Sequence, residues 1–174
     1  MEQPEIETER LILRRFTSSD AGIVKELAGN YNVAKTTLNV PHPYDEGMAE
    51  LWIESHPEKW SSKTGAVFAI TTKELNQLVG TVSLMDIEGT QAEIGYWIGE
   101  PFWGNGYCTE AVNALIQFSL DNLGIKKFIA EHLESNPASG KVLVKVGMHL
   151  VDTVQKVDRF GEKVSIKIYD NQIT

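Results

Sequence analysis

Hydrophobic and polar positions near the start of the chain follow first a strand period and then a helix period. Leu11 and Leu13 share one face of a predicted strand over residues 10–16, because side chains alternate along a strand. Apolar residues recur at helical spacing over 18–28, after polar residues that favour a helix N-terminus. The chain therefore opens with a strand followed by an amphipathic helix.

The next stretch has a weaker pattern. Residues 30–44 show no clean period and include two prolines, which predicts a loop or a broken helix. A helical pattern resumes over 45–60, and we expect this helix to end near Pro57 because proline interrupts helical hydrogen bonding.

The middle of the chain is rich in short apolar runs. Residues 66–72, 78–86 and 92–98 are separated by turn-rich segments, which predicts an antiparallel meander of three strands. Residues 109–123 form a helix that is apolar on more than one side, as expected for a helix lying across a sheet. Residues 126–133 predict a further strand.

The segment 136–150 is ambiguous from its pattern alone. Its valine-rich centre favours a strand, whereas Asn136 and Pro137 suit the first positions of a helix and Gly147 suits its end. We predict a helix from these end signals.

Two alternating segments, 149–157 and 163–169, predict a closing hairpin. The elements together indicate a mixed α/β or α+β fold. A chain of 174 residues is expected to be one domain over 1–174.

Composition limits the classes of function. The single cysteine, Cys108, cannot form an intrachain disulfide, and we expect a cytoplasmic protein without a signal peptide. No apolar run approaches the roughly 18 residues that span a bilayer, so no membrane partner is expected. The net charge of −8 disfavours nucleic acid as a partner, whereas it would attract a cationic substrate.

The stretch "EIGYWIGEPFWGNGYCTEA" (93–111) joins a strand to a helix through the spacing G-x-G. Amide groups around 103–108 would lack helical partners and would lie at the positive end of the helix dipole, where a pyrophosphate can bind. The alternative is a turn whose glycines serve the backbone only. A dinucleotide-binding loop is excluded because Thr109 replaces the third glycine or alanine, and no P-loop motif occurs.

This stretch and "SNPASGKVLVKVGM" resemble the GNAT superfamily of N-acetyltransferases. The opening "IETERLILRRFTSSDA" and "PHPY" are similar to its ribosomal-protein (RimJ/RimL-type) subgroup. The resemblance implies a strongly twisted, mostly antiparallel central sheet with helices on both faces. It also implies acetyl-CoA as co-substrate, an amine acceptor and no metal.

The resemblance assigns cofactor contacts residue by residue. Backbone amides of the G-x-G segment would hold the pyrophosphate, a splayed strand would hold the pantetheine arm, and one asparagine would contact that arm. The residues for the pyrophosphate are Trp103, Gly104, Asn105, Gly106, Tyr107 and Cys108. Those for the pantetheine arm are Tyr96, Trp97 and Ile98 on the strand, together with the asparagine, Asn136. Pro101 and Cys108 depart from the family pattern, which affects side-chain contacts more than the amides.

Two residues are candidates for the chemistry. Glu93, on the strand that leads to the cofactor, would act as base directly or through one water, or else it is a solvated strand carboxylate. Ser139 would protonate the leaving thiolate, or else its hydroxyl bonds helix backbone. The tyrosine that many relatives use as acid is Val144 here. An acetyl-cysteine at Cys108 is the less favoured alternative to direct attack.

The acceptor is left open by the sequence. The subgroup resemblance favours the N-terminal amine of a protein, and a small amine such as a polyamine, amino acid or aminoglycoside is the alternative. A CoA-binding sensor without catalysis is the hypothesis from another class. The oligomeric state, monomer or homodimer, is also open.

Overall fold

The computed structural model describes residues 1–172 and arranges their strands in one sheet. The strands are β1 (Ile6–Glu7), β2 (Leu11–Arg14), β3 (Ala66–Thr72), β4 (Leu78–Glu88), β5 (Gln91–Ile98), β6 (Lys127–Leu133), β7 (His149–Val157) and β8 (Lys163–Asp170). Their order across the sheet is β1-β2-β3-β4-β5-β6-β8-β7. All neighbouring strands are antiparallel except β5 and β6, which are parallel.

The predicted meander and closing hairpin are confirmed. Phe68 of β3 pairs with Val82 of β4, and Val82 pairs with Tyr96 of β5, so the three strands form an antiparallel meander. Strands β7 and β8 pair over their length around a turn at residues 158–162.

Six α-helices occur in the described part of the chain. They are α1 (Ala21–Ala28), α2 (Tyr31–Ala34), α3 (Met48–Glu54), α4 (His56–Ser61), α5 (Tyr107–Phe118) and α6 (Pro137–Lys145). Short 3₁₀ turns span Ser18–Asp20 and Glu100–Phe102, and a π-helical turn, Ser119–Leu123, extends α5.

Helices cover both faces of the sheet, as predicted. Leu115 of α5 and Leu143 of α6 lie in one buried cluster with Phe128 of β6. On the opposite face, Val24 of α1 and Ile53 of α3 pack in a second cluster. The strand alternation of the sequence thus corresponds to two separate cores, one on each side of the sheet.

The helix predicted within residues 45–60 ends near Pro57, as expected, because α3 stops at Glu54. The pattern did not predict the second helix, α4, which starts at His56 with Pro57 in its first turn. Amide groups in the first turn of a helix have no intrahelical acceptor, so proline loses no hydrogen bond there. The preceding segment, expected as a loop or broken helix, contains the four-residue α2.

The ambiguous segment after β6 is a helix, as its end signals predicted. α6 begins at Pro137, directly after Asn136, and Gly147 beyond its end has a φ of +92°. A left-handed residue after the last turn is the usual way to end a helix and favours glycine. Local end signals therefore outweighed the strand propensity of the valines.

Candidate active site

A cleft of about 840 Å³ lies where β5 and β6 separate. Every site residue that the sequence predicted lies on its wall, although these residues come from β5, the following loop, α5 and α6. They are Glu93, Tyr96, Trp97, Ile98, Trp103, Gly104, Asn105, Gly106, Tyr107, Cys108, Asn136 and Ser139. The structure thus brings the set together, and the role of each residue stays a prediction.

The separation of the two parallel strands creates the cleft. Pairing between β5 and β6 ends at Ile94 and Ala130, while β6 continues to pair with β8 as far as Leu133. The backbone of residues 95–98 consequently borders the cleft on the side that faces β6. The carbonyl oxygen of Ile98 also accepts a 2.7 Å hydrogen bond from the indole of Trp103.

The loop between β5 and α5 has the conformation of an anion cradle. Gly104 and Gly106 have φ of +80° and +77°, in the left-handed region that favours glycine. Within residues 1–172 the amides of 104–108 have no acceptor, whereas that of Trp103 donates to the carbonyl of Glu100 at 3.2 Å. Free amides at the N-terminus of a twelve-residue helix favour a phosphate group.

Arg10, near the start of the chain, supports this loop. Its guanidinium donates to the carbonyl of Asn105 and to the carboxylate of Glu110, both at 2.8 Å, and lies over the ring of Tyr107. The same carboxylate accepts a hydrogen bond from Thr8. Sequence reasoning missed this network because its partners are about a hundred residues apart, and no local pattern marks such a pair.

Glu93 is half-buried on β5 and has a raised pKa. Burial raises its pKa above the ordinary value, the carboxylates of Glu131 and Asp86 raise it further, and Lys156 opposes them. Glu93 also borders a second cavity of about 420 Å³, so it faces both the main cleft and this side space.

Ser139 lies in the first turn of α6 and is 7% exposed. Its hydroxyl lies 2.6 Å from the phenol oxygen of Tyr96 and makes no hydrogen bond to helix backbone within residues 1–172. Asn136 precedes the helix, but its side chain does not cap it; instead its amide donates to the carbonyl of Thr36 across the cleft at 3.2 Å.

Cys108 has the environment of a packing residue. Burial raises the pKa of its thiol to about 12, which leaves almost no thiolate at neutral pH. The dipole of α5 therefore does not activate this thiol, and direct attack by the acceptor needs no protein nucleophile.

The parting parallel strands and the free amides at a helix start form a cleft that fits a phosphate-bearing ligand. Residues 10–149 match the acetyltransferase (GNAT) domain family. The chain belongs to this family and is an N-acetyltransferase that uses acetyl-CoA. The free amides of 104–108 fit the pyrophosphate of that donor.

Three relatives illustrate the likeness. The uncharacterised N-acetyltransferase p20 of Bacillus licheniformis is 30% identical over 138 residues, which cover 78% of this chain and 77% of p20. RimL, a ribosomal L7/L12 alpha-N-protein acetyltransferase solved with coenzyme A, has a TM-score of 0.88 at 19% identity and 98% coverage of each chain. A spermidine N-acetyltransferase of Vibrio cholerae, solved with CoA and spermine, has a TM-score of 0.80 at 18% identity, covering 94% of this chain and 95% of its own.

Neither a metal-binding cluster nor a membrane-spanning helix occurs among the described residues. Among residues 1–172, no group of three or more His, Cys, Asp or Glu side chains is arranged to hold a metal ion. No helix in the same range is long and apolar enough to cross a membrane.

Proposed function

We propose that this chain transfers the acetyl group of acetyl-CoA directly to the N-terminal amine of a protein, with Glu93 as base and Ser139 as acid. The observation that carries the proposal is one continuous cleft. It is bordered by the free amides of 104–108, by the half-buried carboxylate of Glu93 and by the buried hydroxyl of Ser139. Acetyl-CoA supplies the activated thioester, and the protein supplies binding, orientation and proton transfer.

Glu93 takes a proton from the acceptor amine. A carboxylate is a weak base, and its raised pKa improves it only in part. An N-terminal amine has a pKa of about 8 and a lysine-like amine about 10.4, so far more of the former is neutral near pH 7.5. A carboxylate base therefore suits an N-terminal amine better.

Ser139 gives its hydroxyl proton to the sulfur as the carbon–sulfur bond breaks. The new bond joins the amine nitrogen to the acetyl carbon, and the amine proton is on Glu93. Glu93 then releases that proton to solvent and Ser139 regains one. Charge and protons balance without a covalent enzyme species, consistent with the buried thiol of Cys108.

A compact amine is the second candidate acceptor, and one observation favours it. The hairpin tip between β7 and β8 reaches the segment after α2, where Arg159 donates to the carbonyl of Thr37 at 3.2 Å. Phe160 lies 6.3 Å from the ring of Tyr31 at the same place. Thr37, Arg159 and Phe160 line the second cavity, whose volume of about 420 Å³ suits a small acceptor more readily than a long chain.

A matched acceptor panel tests the proposal. Thiol release from acetyl-CoA is measured with a short peptide that has a free N-terminus and an internal lysine, with the same peptide N-formylated, and with spermidine. Activity on the free peptide that is lost on formylation supports the N-terminal amine. Activity on spermidine alone supports the compact amine, and equal rates on both peptides identify the lysine side chain.

The sensor hypothesis predicts a different result. Acetyl-CoA would raise the Tm, as any ligand of the native state does, but no acceptor would release thiol. Turnover on any member of the panel contradicts the sensor hypothesis.

A further inference from the structure

The phenol of Tyr96 is a second hydroxyl beside the proposed acid. Tyr96 comes from the splayed end of β5, and Ser139 comes from the first turn of α6, forty-three residues later in the chain. The two oxygens lie 2.6 Å apart, a short distance for a hydrogen bond between hydroxyl groups. A second, longer contact of 3.3 Å joins the phenol oxygen to the backbone carbonyl of Ser139.

We infer that Tyr96 is a positioning residue that donates its hydroxyl hydrogen to Oγ of Ser139 and thereby directs the hydrogen of Ser139 into the cleft. This inference rests on the proposed role of Ser139. It assigns to the side chain of Tyr96 a role separate from the pantetheine contact expected of its backbone.

The direction of the hydrogen bond follows from the chemistry of the pair. The phenol oxygen also lies 3.3 Å from the backbone carbonyl of Ser139, which can only accept, so the phenol hydrogen is directed towards Ser139. Burial raises the pKa of Tyr96 well above its ordinary value, with a further rise from neighbouring Cys108, so the phenol keeps its hydrogen at all working pH values. If Ser139 donated to Tyr96 instead, its hydrogen would be occupied and unavailable to sulfur.

The hydrogen bond serves the reaction in two ways. A serine hydroxyl rotates freely about its carbon–oxygen bond, and a donor fixed on one side limits that rotation. As the proton moves from Ser139 to sulfur, negative charge grows on Oγ, and the phenol stabilises that charge by donating to it. Tyr96 keeps its own proton throughout, so the proton count of the reaction is unchanged.

The surroundings hold Tyr96 in this position. Tyr96 packs against the buried cluster beneath α5, and its neighbours Ile94 and Ile98 on the same face of β5 belong to that cluster. Ser139 is held by the start of α6, where its amide donates to the carbonyl of Asn136 at 3.2 Å. Both hydroxyls are thus carried by rigid elements.

A double-mutant cycle tests the inference. With the best acceptor of the panel, Tyr96→Phe is expected to lower kcat about 10-fold while leaving the KM for acetyl-CoA within about twofold, because one hydrogen bond is lost and the ring stays. Ser139→Ala is expected to lower kcat about 100-fold. The double variant should equal Ser139→Ala, because Tyr96 acts only through Ser139.

Tyr169→Phe is the matched control. Tyr169 is a tyrosine of the cluster against which Tyr96 packs and is 8% exposed; among the described residues the one hydrogen-bond partner of its hydroxyl is the ring of His132, at 3.4 Å. Loss of the Tyr169 hydroxyl should lower the Tm at most and leave kcat unchanged. The comparison therefore separates the structural effect of removing a tyrosine hydroxyl from an effect on catalysis.

The possible failures are distinguishable. Wild-type kcat in Tyr96→Phe, or losses that multiply in the double variant, overturns the inference while Ser139 keeps its role. Wild-type kcat in Ser139→Ala removes Ser139 from the mechanism and Tyr96 with it. A wild-type protein that binds acetyl-CoA but acetylates no acceptor overturns the proposed function as well.

Discussion

His56 provides a prediction whose size follows from the structure. This side chain is 5% exposed in the core beneath α3 and α4, packed against the rings of Phe16 and Trp52 at 5.4 and 4.4 Å. Neither ring nitrogen has a hydrogen-bond partner within residues 1–172. Burial, with a smaller contribution from Lys59, lowers its pKa from 6.5 to about 4.

The lowered pKa sets the sign of the pH dependence. The fold favours neutral His56, so protonation favours the unfolded chain. The stability that neutral His56 contributes is fully present above pH 6.5. It is lost as the pH falls towards 4, where His56 takes up a proton in the native state as well. The loss over this window is about 3 kcal/mol, at roughly 1.4 kcal/mol for each pH unit.

The variant His56→Phe removes this dependence and keeps a ring between Phe16 and Trp52. At pH 7.5 it should raise the free energy of unfolding by about 1 to 3 kcal/mol, because two unpaired buried nitrogens are replaced by carbon. At pH 4.5 its advantage over the wild type should be about 2 to 3 kcal/mol larger. Comparing the two proteins at each pH cancels the contributions of the other titrating groups.

Urea unfolding at the two pH values measures both effects. His56→Leu repeats the test in case a phenylalanine ring is too large for the site. His132→Phe is the control: the ring nitrogens of His132 contact the carbonyl of Leu133 and the hydroxyl of Tyr169, so this variant should lose stability. An advantage of His56→Phe that is equal at both pH values would refute the reasoning, since His56 would then have the same pKa in both states.

Three further predictions concern the cleft. Gly106→Val should raise the Kd for acetyl-CoA about 10-fold or more in calorimetry by disturbing the amide cradle, whereas Gly89→Val, also at a positive φ but outside the cleft, should cost stability only. Arg10→Met should raise the same Kd about fivefold, because the loop loses its support. Arg15→Met loses only a surface ion pair with a glutamate and should leave this Kd unchanged. Equal effects of the two variants would indicate that the charge alone matters. Glu93→Gln should lower kcat about 100-fold at a pH below the pKa of the acceptor amine and less above it, and a loss that is constant across the pH–rate profile would remove Glu93 as base.

Local signals in the sequence were sufficient for much of the fold, whereas the opening beside β5 was expected only from the family resemblance. The G-x-G spacing indicated a turn that needs left-handed residues, and Gly104 and Gly106 adopt that conformation. Asn136, Pro137 and Gly147 marked the ends of α6 correctly. Each of these signals acts within a few residues of its own position, which is why a single sequence can show it.

Signals that depend on the surroundings were less informative. Pro57 correctly indicated the end of α3, but it did not reveal that a second helix, α4, starts around it, because proline is equally acceptable in a first helical turn. His56 gave no sign in the sequence that both of its nitrogens would be buried without partners.

The sequence by itself thus determined the order of strands and helices and the glycine turn before α5, because periodicity, end signals and motif spacing are short-range properties. The set of candidate residues came from the resemblance to GNAT acetyltransferases. Tertiary structure alone decided how that set becomes a site. It placed Arg10 against the loop at Asn105 and the phenol of Tyr96 against Ser139, and it opened β5 from β6 beyond Ile94. These contacts join residues that are far apart in the chain, so they exist only once the sheet has brought its strands together.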